Sequence, residues 1–182
     1  ALSTAGFTQL VAVDPDEMST SRALADGVVT GASADYSILS GCAVVFICAP
    51  VDRVLGCMTD AGRICPDALF TDVASTKAFL VKSVCDDAFL RTLRYAPGHP
   101  MSGSEKTGYR NSDAHLFENA YYILCDDTAD EKSLETMECL AAAMGAIPMR
   151  MKAHEHDRFV AYVSHLPHIA ASALVGLVSQ SD

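Results

Sequence analysis

The chain has 182 residues, half hydrophobic and a fifth charged, with a net charge of −10. That length holds one sizeable core, or one domain plus part of another. The acidic balance argues against a nucleic-acid or anionic-membrane surface, and no apolar run reaches the length of a membrane span.

Ala1 to Gly6 reads as the last turns of a helix, with Gly6 as its stop. No strand precedes it and the first residue is not Met, so the chain is expected to be cut at its start. Gln9 to Asp14 is a buried strand ending in an acid. Pro15 and Asp16 start a helix that runs to about Asp26, with Gly27 as its stop, and Val28-Val29 is a short strand. Ala43 to Ala49 is a continuous apolar run, as in a parallel strand covered on both faces, and Pro50 ends it. A helix follows from Val51 to about Arg63, then a strand Ala68 to Asp72, then a helix Lys77 to Phe89.

Leu93 to Ala96 is β-like and leads into Pro97-Gly98-His99-Pro100-Met101-Ser102-Gly103-Ser104-Glu105-Lys106-Thr107-Gly108. With three glycines and two prolines this stretch is predicted to be a loop at a strand end, neither helix nor central strand. It presents His99, Ser102, Ser104, Glu105 and Lys106 together, as an active-site wall or as a polar surface turn. Residues 109–119 are polar and irregular. Ala120 to Cys125 is a strand, Glu131 to Met144 a helix stopped by Gly145, and Ala146 to Met151 a last strand. From His154 the pattern is helical to Asp182, where it stops without a cap.

Strands alternating with helices predict an α/β fold with a doubly wound, mostly parallel sheet. Ligands of such sheets bind at the carboxyl ends of the strands. Asp14, Cys48-Ala49-Pro50, the stretch from Asp72 to Lys77, and His99 all fall there. An acid ending a strand as Asp14 does can accept hydrogen bonds from a ribose and repel a 2′-phosphate, which favours NAD over NADP; it can equally cap the helix after Pro15. The glycine-rich turn that should precede such an acid is absent from these residues. Seven cysteines, none in a Cys-x-x-Cys pair, predict reduced, buried thiols in a cytoplasmic protein; no secretory leader pattern opens the chain.

Three segments carry a resemblance: Thr71-Asp-Val-Ala-Ser-Thr-Lys77, Gly98-His-Pro-Met-Ser-Gly-Ser-Glu-Lys-Thr-Gly108 and Val163-Ser-His-Leu-Pro-His168. In their order and spacing they resemble the prephenate/arogenate dehydrogenase family of tyrosine biosynthesis, and the match covers essentially the whole chain. The resemblance implies a Rossmann-type NAD-binding domain over residues 1–151, lacking its first strand and glycine-rich loop, and an incomplete helical dimerisation domain over residues 152–182. It implies His99 as the base that takes the substrate hydroxyl proton, and Ser75 as the residue that orients it near the nicotinamide. Glu105, His165, His168 and, at the pocket edge, His156 would contact substrate, and Cys48, Ala49, Pro50 and Asp14 the cofactor. The implied substrate is prephenate or arogenate, the implied assembly a homodimer. A non-catalytic nucleotide-binding module is the alternative of another class.

Other readings of the same residues stay open. Ser75 can cap the helix near Lys77, and Glu105 can be a solvated loop acid. His154, His156, His165 and His168 have spacings that metal ligands use, but no cysteine lies nearby and the family uses no metal, so no metal is expected. His165 and His168 share a helix face, where either can be a hydrogen-bonded core histidine. Two departures stand out: the family's carboxylate-binding arginine has no counterpart before Asp182, and Ala74 stands where many relatives have glycine, which matters only if the backbone needs positive φ.

Overall fold

The computed structural model describes residues 1–103 and 108–179. In chain order the elements are β1 (Val11–Val13), α1 (Glu17–Ala25), β2 (Gly31–Ser33), β3 (Val44–Ile47), α2 (Val54–Ile64), β4 (Leu69–Asp72), α3 (Ala78–Asp86), β5 (Arg94–Tyr95), β6 (Gly98–Pro100), β7 (Tyr121–Cys125), α4 (Glu131–Ala143), β8 (Ile147–Met151), α5 (Ala153–Val160) and α6 (Leu166–Ser179). Short 3₁₀ turns cover Tyr36–Leu39, Leu90–Thr92 and Tyr109–Asn111, and a π turn, Ala161–His165, joins α5 to α6.

Three ladders result: β1 with β2, β3 with β4 and β5, and β6 with β7 and β8. Every pairing is parallel except β6 with β7. Side-chain alternation along β3 and β4 builds two apolar layers. Val45, Ile47 and Phe70 meet Val54, Met58 and Ala61 of α2 and Leu80 and Val84 of α3 on one face. Val44, Phe46 and Leu69 meet Leu134, Met137 and Ala141 of α4 on the other. A sheet covered on both faces is the predicted doubly wound arrangement.

The helix signals work as the sequence suggests. Asp16 caps α1, accepting the Met18 N–H at 3.1 Å and the Ser19 hydroxyl at 2.7 Å. Asp130 caps α4 through the Ser133 N–H at 2.9 Å, and Gly145 closes that helix at φ +83°.

Several boundaries differ, each for a local reason. The second strand is Gly31–Ser33, not Val28-Val29, because the Val28 N–H bonds the Ala23 carbonyl at 3.0 Å in the closing turn of α1. α2 begins at Val54, after a turn in which the Arg53 N–H bonds Pro50. α3 ends at Asp86, because the Asp87 carboxylate takes the N–H groups of Phe89 and Leu90, both at 2.8 Å, into a new turn. The predicted loop after Pro97 starts as strand β6; Pro100 is tolerated because β6 hydrogen-bonds β7 alone, at the end of its ladder. Pro167 has no N–H for the Val163 carbonyl, and the helix widens into the π turn just before it. The helix nonetheless continues, and Ala153–Leu177 spans 25 residues with a mean hydropathy of 1.4 in its most apolar stretch, so by length and composition a span-sized helix exists where the sequence predicts none. The cysteines are free, but only Cys65 and Cys125 are buried; Cys48, Cys85 and Cys139 are exposed, contrary to the prediction of buried thiols.

Candidate active site

In the β3–β4 register Ile47 lies beside Asp72, so Cys48-Ala49-Pro50 and Val73-Ala74-Ser75 leave the sheet side by side at its carboxyl edge. Cys48, Pro50 and Ser75 are exposed there and Ala49 is half-buried. Ala74 has no positive φ, so the absence of glycine at that position causes no backbone strain.

Below this edge lies a fully buried polar cluster. Asp72 is ion-paired with Lys77, accepts the Tyr95 hydroxyl at 2.6 Å, and takes the Ala74 N–H at 2.9 Å. Neither Asp72 nor Lys77 exposes any surface. Burial pulls the Lys77 ammonium below its ordinary pKa, and the Asp72 carboxylate opposes that. Tyr95 is raised well above the phenolic range, by burial first and by Asp72 second.

The first turn of α3 has no cap of its own. Its leading N–H groups, on Lys77 and Ala78, are taken at 2.7 and 2.9 Å by the two carboxylate oxygens of Asp157, which stands on α5. Ser75 is therefore not the N-cap; the helix it precedes is capped from across the molecule. Burial alone would raise Asp157, but His156 and those backbone N–H groups hold it below the usual carboxylate value.

His99 sits on β6, opposite Ile123 of β7. Its Nδ1 lies 2.8 Å from Nε2 of His156, and Nδ1 of His156 lies 2.8 Å from Oδ1 of Asp157. The rings meet edge to face at 5.0 Å. His99 is half-buried, whereas His156 is 0% exposed. Burial first, then the charges of His156 and Lys77, pushes the His99 pKa down to about 4. Burial also lowers His156, against the pull of Asp157. An imidazole held neutral in this way can accept a proton at ordinary pH.

The other predicted residues fall as follows. Asp14 is exposed just past β1, where its Oδ1 takes the Asp16 N–H at 2.8 Å; α1 is capped by Asp16 instead. His165 and His168 are exposed, on the π turn and on α6. The charge of His165 acts on His99; neither His165 nor His168 is a core histidine. His156 has no exposed surface from which to meet a substrate and stands behind His99, not at a pocket edge. Among the described residues His99 bonds His156, and no hydrogen bond joins it to Ser75. Glu105 lies outside the described residues, as do Ser104 and Lys106. Among the described residues no group of three or more His, Cys, Asp or Glu gathers as a metal site.

Sequence reasoning does not find the role of Asp157. The available signal is an acid beside a histidine in the first turns of a long apolar helix, which by composition reads as solvated.

Residues 1–149 match the family model described as "Prephenate dehydrogenase, nucleotide-binding domain", and residues 152–182 the one described as "Prephenate dehydrogenase, dimerization domain". The prephenate dehydrogenase of Bacillus subtilis (strain 168) is 31% identical over 178 residues, which are 96% of this chain and 48% of that protein. The prephenate dehydrogenase of Aquifex aeolicus, solved with hydroxyphenyl propionate and NAD+, superposes with a TM-score of 0.86 at 27% identity, over 98% of this chain and 63% of the other. A Synechocystis arogenate dehydrogenase gives 0.82 at 26%, over 97% and 62%. The chain thus spans about half the length of the curated relative.

Proposed function

The chain belongs to the prephenate dehydrogenase family, and from that premise we propose that the protein it forms part of is an NAD-dependent prephenate dehydrogenase, converting prephenate to 4-hydroxyphenylpyruvate in tyrosine biosynthesis. The observation that carries this reading is His99: a half-buried imidazole with Nδ1 occupied by His156, on the strand whose Gly98 packs against the Asp72 carbonyl at the carboxyl end of β4.

The residues fit a dinucleotide in part. An exposed acid at a strand end suits a ribose, and the exposed edge from Cys48 to Pro50 suits close approach of the cofactor; the glycine-rich turn is not among these residues. When bound, the nicotinamide supplies the hydride acceptor. His99 takes the hydroxyl proton as the substrate C–OH becomes C=O, and can return it to the oxygen once CO₂ has left and the ring is a phenol. Burial first, and then the charges of His156 and Lys77, keep His99 from protonating beforehand. Ser75 adjoins the nicotinamide end, and Glu105, His165 and His168 are the proposed substrate contacts. Residues 1–151 form the nucleotide-binding domain and residues 152–182 open the dimerisation domain of a cytoplasmic homodimer.

The test is an assay of the complete gene product with prephenate and with arogenate, each with NAD and with NADP. Prephenate and NAD are expected to give the highest kcat/KM, and His99→Asn is expected to lower it by roughly 10²–10⁴-fold without loss of fold. Full activity in that variant removes His99 from the mechanism. The likeness to the Synechocystis enzyme supports the second reading, arogenate to tyrosine, which a higher kcat/KM with arogenate would establish. Asp14→Ala is expected to raise NADP use relative to NAD by about tenfold or more.

A further inference from the structure

We propose that His156 and Asp157 are a positioning pair that holds His99 in its Nδ1–H tautomer, so that Nε2, the atom facing substrate, carries the lone pair. The inference rests on the reading of His99 as the base.

The bond directions follow from the end of the chain whose role is fixed. Asp157 is a carboxylate and can only accept, so Nδ1 of His156, at 2.8 Å, must donate to it. A neutral His156 then has its lone pair on Nε2, and that nitrogen, at 2.8 Å from Nδ1 of His99, must accept. Nδ1 of His99 is left as the donor and Nε2 as the acceptor. A histidine side chain free in water prefers the opposite, Nε2–H tautomer, so without the pair the lone pair would sit mostly on the nitrogen turned away from substrate. Burial makes the arrangement strict: His156 is 0% exposed, and no water competes for either of its nitrogens.

Asp157 is itself held in place. The same carboxylate takes the N–H groups of Lys77 and Ala78, so it is tied to the segment that carries Ser75. One side chain of α5 therefore sets both the ring orientation at position 99 and the start of α3. The groups whose charges act on His99 are His156 and Asp157 from α5, Lys77 from the β4–α3 junction, and His165 from the π turn.

The experiment uses the complete gene product labelled with ¹⁵N-histidine, the His99 and His156 signals being assigned by their loss in His99→Asn and His156→Gln. At neutral pH the wild type is expected to show His99 with a protonated Nδ1 and a bare Nε2. His156→Leu fills the space without an acceptor, and is expected to move the His99 proton to Nε2 and lower kcat by roughly 10–100-fold with KM for prephenate little changed. In His156→Gln the side-chain carbonyl can accept from His99, and kcat is expected to recover in large part. Asp157→Asn is expected to give a mixed tautomer. A wild-type His99 protonated on Nε2, or wild-type kcat in His156→Leu, overturns the proposal. If His156→Leu does not fold, the wild-type spectrum and Asp157→Asn decide. Failure here is distinct from failure of the base itself: in that case His99→Asn stays active whatever tautomer is seen.

Discussion

Helices α5 and α6 follow one another across a single π turn, yet they meet the rest of the molecule in opposite ways. α5 is the more polar, and it buries Ala153, His156 and Val160. α6 is almost wholly apolar, and none of its described residues is buried; Ile169, Leu174 and Val175 stay 64–68% exposed. Hydrophobicity alone thus does not dock a helix. α5 is held because two of its polar side chains complete groups that the sheet domain leaves unfinished, the N-terminus of α3 and the ring of His99. α6 has the composition of a buried helix and, among the described residues, no surface over it, which fits the proposed second copy.

The largest expected effect lies in the floor on which α5 rests. Lys77→Met removes the cation from a fully buried Asp72, leaving a charge that Tyr95 and one backbone N–H must satisfy alone. Breaking one side of a buried pair costs about 3–5 kcal/mol, so urea unfolding should show a loss of that size. An unchanged midpoint would mean that the pair does not support the carboxyl edge.

Next comes the tether. Asp157→Ala leaves two helix N–H groups and the buried His156 Nδ1–H without their acceptor. Loss of a cap together with a buried unpaired donor should cost about 2–4 kcal/mol, and amide exchange should quicken at Lys77 and Ala78 before the rest of α3. Uniform exchange along α3 would show that Asp157 is not what starts it.

Acid should weaken the α5 contact in a defined window. The His99 pKa is about 4 in the fold, below the ordinary value of 6.5, and His156 is shifted in the same direction. As pH falls through 6.5 the unfolded chain takes up protons that the folded chain refuses. The stabilisation from neutral His99 is therefore complete above pH ~6.5 and is lost progressively down to pH ~4; allowing for its partial exposure it is on the order of 2 kcal/mol. Asp157, held low, adds a further loss only at still lower pH. Urea midpoints measured between pH 7 and 4 should fall, and His99→Asn should flatten that slope.

The same contrast marks what the sequence makes legible. β4 can be read because it is buried on both faces, and α4 because Asp130 caps it and Gly145 stops it close in the chain. β2 is misread because Val28-Val29 has strand composition while its first N–H is already committed to α1. The sequence places His99 in a loop after the Leu93 to Ala96 run, whereas it lies on the separate strand β6; the family models bear out the family resemblance. It does not pair His99 with His156, 57 positions away, nor Asp157 with Lys77, 80 away, since no periodicity encodes a contact of that range. Nor does the apolar composition of α6 show what covers it, since among the described residues nothing does.

The smallest effect on folding should come from α6, and it sharpens the contrast most. Leu174→Ser removes an apolar side chain that is 64% exposed, so in the isolated chain the midpoint should shift by less than ~0.5 kcal/mol. In the complete protein the same change should weaken self-association, because a leucine at a packed interface is worth about 2 kcal/mol or more. Sedimentation of wild type and variant across a concentration series separates the cases. A variant that dissociates at higher concentration while folding normally means that α6 is apolar for a partner. A variant that loses folding stability in the isolated chain means that α6 already packs within it, and the distinction between the two helices disappears.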